Sequence, residues 1–128
     1  MTQSNYKYAV IDLEATSANS NAKIIQIGIV IIENGVICQT YETDVNPHED
    51  LDEHIKQLTG LDDQRLRQAP DFSQVAREVY ELIEDAIFVA HNVKFDANLL
   101  AEALFWEGFE LTTPRIDTVE LSQIFYPT

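Results

Sequence analysis

The sequence predicts a mixed α/β fold, in which one sheet has antiparallel and parallel strands and helices pack on both of its faces. Two strand-like segments meet at Asn34-Gly35, the strongest short signal for a β-hairpin. Further along the chain, short apolar strands alternate with segments of helical periodicity. The central strand segments are apolar on both faces, so each face of the sheet requires helices against it.

The N-terminal half is predicted to form three strands and a short helix. Residues 6–13 form a central strand, because Tyr, Val and Ile follow one another with few polar residues between them. Residues 24–33 and 36–45 form the two hairpin strands. A turn-rich segment then leads to a short helix over about residues 51–58, which Gly60 ends.

The C-terminal half is predicted to alternate helices with strands. Pro70 and Asp71 open a helix whose apolar residues recur at helical spacing. These residues are Phe72, Val75, Val79, Leu82 and Ile83. A short buried strand over residues 86–90 follows, and His91-Asn92 lies at its carboxyl end.

Residues 94–106 are predicted to form a second long helix, which Gly108 ends. Residues 115–117 then form a last short strand, and residues 118–125 a final helix. Asp117 fits a cap at the start of that helix. Because chemistry collects at the carboxyl ends of parallel strands, polar residues at those ends are candidates for a functional site.

The composition limits the class of protein. With 128 residues and 45% apolar content, residues 1–128 are expected to form one globular domain. The longest apolar stretch, residues 24–32, is too short to cross a bilayer, so no membrane partner is predicted. A single cysteine, Cys38, excludes an intrachain disulfide and makes a cytoplasmic setting the default expectation.

The net charge of −14, with eight Lys and Arg residues in all, indicates an acidic protein. It argues against a protein that holds nucleic acid by covering many phosphates with basic side chains. Two alternatives remain at this point. The protein binds small molecules or other proteins, or part of the excess acid forms a metal site through which phosphates are contacted.

Two carboxylates lie at the end of the first predicted strand. Because side chains alternate along a strand, Asp12 and Glu14 share a face and project about 6 to 7 Å apart. Such a pair is costly unless a cation lies between its members. Asp96, in the first turn of a later helix, could serve only the helix dipole, but it can also converge on the same point. Three oxygen ligands favour magnesium or manganese over zinc.

Two motifs carry a family resemblance. "DLEATS" resembles the first motif, and "HNVKFD" the second, of the DnaQ-like (DEDD) 3′-5′ exonucleases. The likeness extends over nearly the whole chain and is nearest to the N-terminal exonuclease domain of bacterial DinG-type helicases. It implies an RNase H-like fold and two divalent metal ions, Mg or Mn. In the implied mechanism one ion activates a water and the other stabilises the leaving 3′ oxygen.

The resemblance also implies roles for individual residues. Metal binding and catalysis are implied for Asp12, Glu14 and Asp96. Substrate contacts are implied for Thr16, Ser17, Ala18, Leu58, Thr59, Asn92 and Phe95. Ser17 stands where many members of the family have glycine, which bears on how closely a 3′ terminus approaches.

The general base and fourth acidic ligand of the family belong to a third motif that follows Thr128. We therefore expect a fragment with the C-terminal part of the fold missing, which has little activity alone and self-associates through an uncovered sheet face. An incomplete, inactive domain is the alternative. His91 could replace the missing base, although a structural role is favoured for it.

The predicted function is a metal-dependent 3′-5′ exonuclease domain that acts on single-stranded 3′ ends, DNA before RNA. It would work in DNA repair or replication as part of a larger helicase or polymerase protein. A catalytically silent nucleic-acid-binding or scaffold module is the first alternative. A receiver-like signalling domain ranks third, because the segment "VAHN" lacks the lysine that a receiver needs at the end of a later strand.

Overall fold

A single mixed sheet forms the centre of the computed structural model, which describes residues 6–17, 19, 21–91, 93–112 and 115–117. Its strands within these ranges are β1 (Lys7–Ala15), β2 (Ile24–Glu33), β3 (Val36–Asp44), β4 (Ile87–Ala90) and β5 (Arg115–Asp117). They lie in the order β3-β2-β1-β4-β5. β1–β2 and β2–β3 pair antiparallel, whereas β1–β4 and β4–β5 pair parallel. The predicted α/β class is therefore confirmed.

The helices in the described part of the chain are α1 (Glu53–Thr59), α2 (Asp63–Arg67), α3 (Phe72–Ile83) and α4 (Val93–Trp106). α1 begins two residues later than predicted, because Asp52 is extended and takes the cap position. α2 was not predicted, since five residues are too few to show helical periodicity. The helix predicted for residues 118–125 lies outside the described residues. None of the described helices is long and apolar enough to span a membrane.

The hairpin between β2 and β3 has the predicted turn. Asn34 and Gly35 both adopt positive φ, 53° and 78°. Positive φ at both central residues is what a type I′ turn requires, and this turn matches the twist of the two strands. The turn thus fixes where the β2–β3 pairing starts, with Glu33 opposite Val36.

The main core lies between one face of the sheet and helices α3 and α4. Alternate residues of β1 and β2 supply the sheet side, as the period of two requires. Its buried members include Ala9, Ile11, Leu13, Ile27, Ile29 and Ile31 from the sheet, with Val79, Ile83, Leu100 and Leu104 from the helices. These residues anchor β1 firmly against the helices.

A second, smaller cluster joins α1 and α2 to the start of β2. It consists of Ile25, Leu51, Leu61 and Leu66, with Ile55 packed against it. Ile24 belongs to the main core, although it is adjacent to Ile25, and successive strand residues point to opposite faces. The described helices therefore contact both faces of the sheet at this end.

Candidate active site

β1 carries Asp12 and Glu14 on the face opposite the main core. Ile11 is 2% exposed and Leu13 is 8% exposed, whereas Asp12 is exposed and Glu14 is half-buried. The alternation predicted from the sequence is thus present. Across the sheet Asp12 lies opposite Gly28, and Glu14 lies opposite Gln26.

Asp96 lies in the first turn of α4 and is 8% exposed. Its pKa is raised from 3.8 to about 6. Burial is the largest cause, followed by the negative charges of Asp12 and Glu14, while His91 acts in the opposite direction. Burial, and then the charge of Asp12, also raise the pKa of Glu14. The structure therefore brings Asp12 and Glu14 close enough to Asp96 to disfavour the ionisation of Asp96, and Asp12 close enough to Glu14 to disfavour the ionisation of Glu14.

The three carboxylates are not arranged as a metal-coordination site in the described structure. Within the residues that the structure describes, no group of three or more His, Cys, Asp or Glu side chains could hold a metal ion as it stands. Their chemistry nevertheless fits a hard divalent cation, because carboxylate oxygens are the ligands that magnesium and manganese prefer. The mutual repulsion that raises the pKa of Asp96 is also what a cation would relieve.

The loop that follows β1 contains the predicted substrate residues Thr16 and Ser17. The Thr16 N–H donates to the Lys23 carbonyl at 2.9 Å, and the Thr16 Oγ1 accepts from the Lys23 N–H at 2.9 Å. The Ser17 hydroxyl donates to Asn19 Oδ1 at 2.9 Å. Both hydroxyls therefore hold the loop between β1 and β2 in place. Ala18 lies outside the described residues.

The other predicted substrate residues come from α1 and α4. Leu58 is 70% exposed. The Thr59 hydroxyl donates to the Ile55 carbonyl at 2.8 Å, which ties it to α1. No hydrogen bond or ion pair among the described residues joins Leu58 or Thr59 to the three carboxylates. Phe95 is half-buried and directly precedes Asp96, and Asn92 lies outside the described residues.

A polar network beside Glu14 was not predicted from the sequence. Arg65 of α2 donates two hydrogen bonds to Asp44, from Nε to Oδ2 at 2.6 Å and from Nη2 to Oδ1 at 3.0 Å. Gln26, the cross-strand partner of Glu14, donates to Asp44 Oδ1 at 3.1 Å. Burial alone would raise the pKa of Asp44, but the hydrogen bonds from Arg65 and Gln26 hold it below its usual value. The network fixes α2 to the strands beside the site.

The sequence of the chain matches a known protein family. The RNase_T exonuclease family matches residues 9–128. The chain belongs to this exonuclease family. It is 41% identical over 124 residues to the 3′-5′ exonuclease DinG of Bacillus subtilis (strain 168), a match that covers 94% of this chain and 13% of that protein. The chain thus spans about 13% of the length of this curated relative, and the predicted likeness to DinG-type exonuclease domains is confirmed.

Solved exonuclease structures share the fold. E. coli exonuclease I in complex with an oligonucleotide superposes with a TM-score of 0.79 at 14% identity, over 96% of this chain and 30% of that one. Exonuclease X in complex with 5′ overhanging duplex DNA gives a TM-score of 0.71 at 22% identity, over 94% of this chain and 64% of that one. The predicted RNase H-like fold is therefore confirmed.

In this member of the exonuclease family, Asp12 borders a concavity of the described surface, whereas Asp96 is buried. A shallow concavity of about 370 Å³ beside Asp12 is lined by residues of β1, β2 and β3, among them Val10, Gly28, Val30, Thr40 and Glu42. A larger groove of about 710 Å³ contains none of the three carboxylates and is lined partly by α3 and α4. Trp106, which borders that groove, is 75% exposed, so it does not belong to the core.

Proposed function

We propose that this chain is a metal-dependent 3′-5′ exonuclease domain that removes nucleotides from single-stranded DNA 3′ ends. The observation that carries the proposal is the meeting of three carboxylates from two elements of an exonuclease-family fold. Asp12 and Glu14 lie near the carboxyl end of β1, and Asp96 lies in the first turn of the helix after the parallel strand β4. In sheets of this kind, ligands bind at the carboxyl ends of parallel strands.

Asp12, Glu14 and Asp96 are the residues that would hold two divalent ions, Mg or Mn. When bound, such ions activate a water and stabilise the leaving oxygen in phosphodiester hydrolysis. The carboxylates bind a cation only when ionised, so the proton on Asp96 competes with the metal below a pH of about 6. Metal affinity should therefore fall as the solution is acidified through this range.

The substrate residues are proposed to surround the carboxylates. The loop is proposed to contact the substrate through backbone groups other than the Thr16 N–H, because that N–H and the hydroxyls of Thr16 and Ser17 are already bonded within the loop. Phe95 is placed one residue from Asp96, where an aromatic ring can stack on the terminal base of an unpaired strand. Ala18, Leu58, Thr59 and Asn92 remain predictions. The complexes of exonuclease I with an oligonucleotide and of exonuclease X with duplex DNA support a nucleic-acid substrate.

A larger protein is proposed as the working form of the domain. The matched segment is 13% of the length of the DinG relative, which leaves most of such a protein for other functions. A helicase or polymerase region in the same protein could supply the basic surface that this acidic domain lacks. The cytoplasmic setting likewise stays a prediction.

Titration of Mn²⁺ into the protein by calorimetry tests the metal site. We expect binding heat from the wild type and none from Asp12→Ala, because removal of one carboxylate takes away a ligand shared by the whole site. Glu81→Ala is the matched control, since it removes the same charge from an exposed position of α3. Equal heats from wild type and Asp12→Ala would rule out this metal site. DNA binding without metal binding would favour the catalytically silent module.

A further inference from the structure

Nearly all the basic side chains that the structure describes are already engaged. Ion pairs join Lys7 to Asp85 at 2.8 Å, Lys23 to Glu49 at 3.4 Å, Lys56 to Asp63 at 2.9 Å, Arg65 to Asp44 at 2.6 Å, and Arg67 to Asp50 at 3.1 Å. The Arg77 guanidinium lies over the Phe109 ring, 6.0 Å from its centroid. In each of these ion pairs a carboxylate neutralises the charge of the basic side chain. The paired side chains therefore attract a phosphate backbone only weakly.

Lys94 differs from these residues. It is exposed, and within the described part of the chain it has no ion pair, hydrogen bond or ring contact. It also lies in the first turn of α4, where the helix dipole disfavours a cation. Neither pairing nor helix electrostatics accounts for a lysine at this position.

The position of Lys94 relates it to the candidate active site. It lies two residues before Asp96, whose carboxyl interacts with those of Asp12 and Glu14. Residues two apart point to nearly opposite sides of a helix, so Lys94 faces solvent while Asp96 is buried. The flexible four-carbon stem of a lysine lets the ammonium group reach a ligand bound at the end of the helix.

We propose that Lys94 binds a backbone phosphate of the substrate, adjacent to the scissile phosphate. Within the described part of this domain, Lys94 is the basic residue that holds the strand. This inference rests on the proposed exonuclease function and specifies which residue binds the substrate strand. A domain that uses one such contact holds only the last nucleotides of a strand. Its affinity should then depend weakly on salt, because each neutralised phosphate of a single strand contributes a slope of about −0.7 to log K against log salt concentration.

Fluorescence anisotropy with a 5′-fluorescein oligothymidylate tests the inference. A phosphorothioate at the terminal linkage slows hydrolysis, and binding is measured in Mn²⁺ over a series of KCl concentrations. For the wild type we expect a slope between about −0.7 and −1. Lys94→Ala should flatten the slope towards zero and weaken binding at low salt about fivefold, while Lys94→Arg keeps both values near the wild type.

Lys7→Ala is the charge-matched control, since Lys7 lies at the start of β1, away from Asp12 and Glu14. Its slope should equal that of the wild type. DNA binding whose slope is unchanged in Lys94→Ala, or changed equally in Lys7→Ala, overturns the assignment of Lys94 and leaves the exonuclease proposal standing. A wild-type slope much steeper than about −1 overturns the single-contact grip. Absence of both DNA and Mn²⁺ binding overturns the proposed function together with this inference.

Discussion

The two faces of β1 are built from neighbouring residues of one strand, yet they serve opposite purposes. Ala9, Ile11 and Leu13 are buried in the main core, whereas Val10, Asp12 and Glu14 lie on the other face and carry the candidate chemistry. Since the side-chain period is two, a slip of one residue would exchange the faces. The apolar face therefore determines where the carboxylates point.

The two faces also differ in their electrostatic cost. The main core contains only apolar residues among those described, whereas Asp12 and Glu14 on the opposite face approach Asp96 of α4, and the repulsion contributes to the raised pKa values of Glu14 and Asp96. A functional site of this kind reduces the stability of the fold. Stability measurements on matched variants of the two faces can separate these contributions.

The largest expected effect is on the buried face. Ile11→Ala should lower the free energy of unfolding by about 2–5 kcal/mol, because it leaves a cavity in the main core. Val10→Ala, one residue earlier on the other face, should cost about 1 kcal/mol, since Val10 is only half-buried. Urea denaturation of both variants measures the difference. Equal losses would show that the two faces are covered alike.

An effect of opposite sign is expected on the carboxylate face. The folded-state pKa of Asp96 is raised from 3.8 to about 6, so folding disfavours its ionised form. This cost is fully present above pH 6 and is relieved as the pH falls through about 6 towards 3.8. The raised pKa lowers the free energy of unfolding at neutral pH by at most about 3 kcal/mol. The interaction of the ionised carboxylate with the helix dipole offsets about 0.3–1 kcal/mol of this loss.

Asp96→Asn should therefore stabilise the metal-free protein at neutral pH by about 1–2 kcal/mol and have little effect near pH 4. Thermal unfolding in the presence of a chelator at both pH values measures this, with Glu81→Gln as the surface control. A variant less stable than the wild type at neutral pH would show that the ionised Asp96 carboxylate is well accommodated without metal.

The smallest effect is expected at the network beside Glu14. Arg65→Ala should lower the melting temperature modestly, because it removes two hydrogen bonds to Asp44. The folded-state pKa of Asp44 is lowered, so its contribution is present above the unfolded-state pKa and is lost as the pH falls through the folded-state value. Arg67→Ala is the control, because it removes one hydrogen bond to the exposed Asp50, and it should lower the melting temperature by less than Arg65→Ala does. A larger loss for Arg67→Ala would contradict this ranking.

Much of this arrangement follows from local patterns in the sequence. Alternation places Asp12 and Glu14 on one face, and the Asn34-Gly35 turn pairs β2 with β3. The turn alone would place Gln26 opposite Thr43. A register shift between Ile31 and Ile32 moves the partner to Asp44, and no sequence signal marks that shift.

Contacts between distant segments could not be predicted from local patterns. The approach of Asp96 to the β1 carboxylates was expected from strand ends, but the distance and burial that raise its pKa depend on how α4 packs. The pairing of Arg65 with Asp44 depends on α2, which is too short to give a periodic signal. The last two residues of α4, Phe105 and Trp106, are 64% and 75% exposed and lie outside the core, although their aromatic side chains are typical of core positions.

The parallel pairing of β1 with β4 has a consequence for the order of folding. β1, β2 and β3 are joined by short connections and can associate early, whereas β4 pairs with β1 only after most of the chain has closed into a loop. Asp96 follows β4, so it reaches Asp12 and Glu14 with this late, non-local step. We therefore expect substitutions in the hairpin to slow folding and substitutions in β4 mainly to speed unfolding. Stopped-flow kinetics of Ile29→Val and Val89→Ala would show whether the three carboxylates of the candidate site come together last.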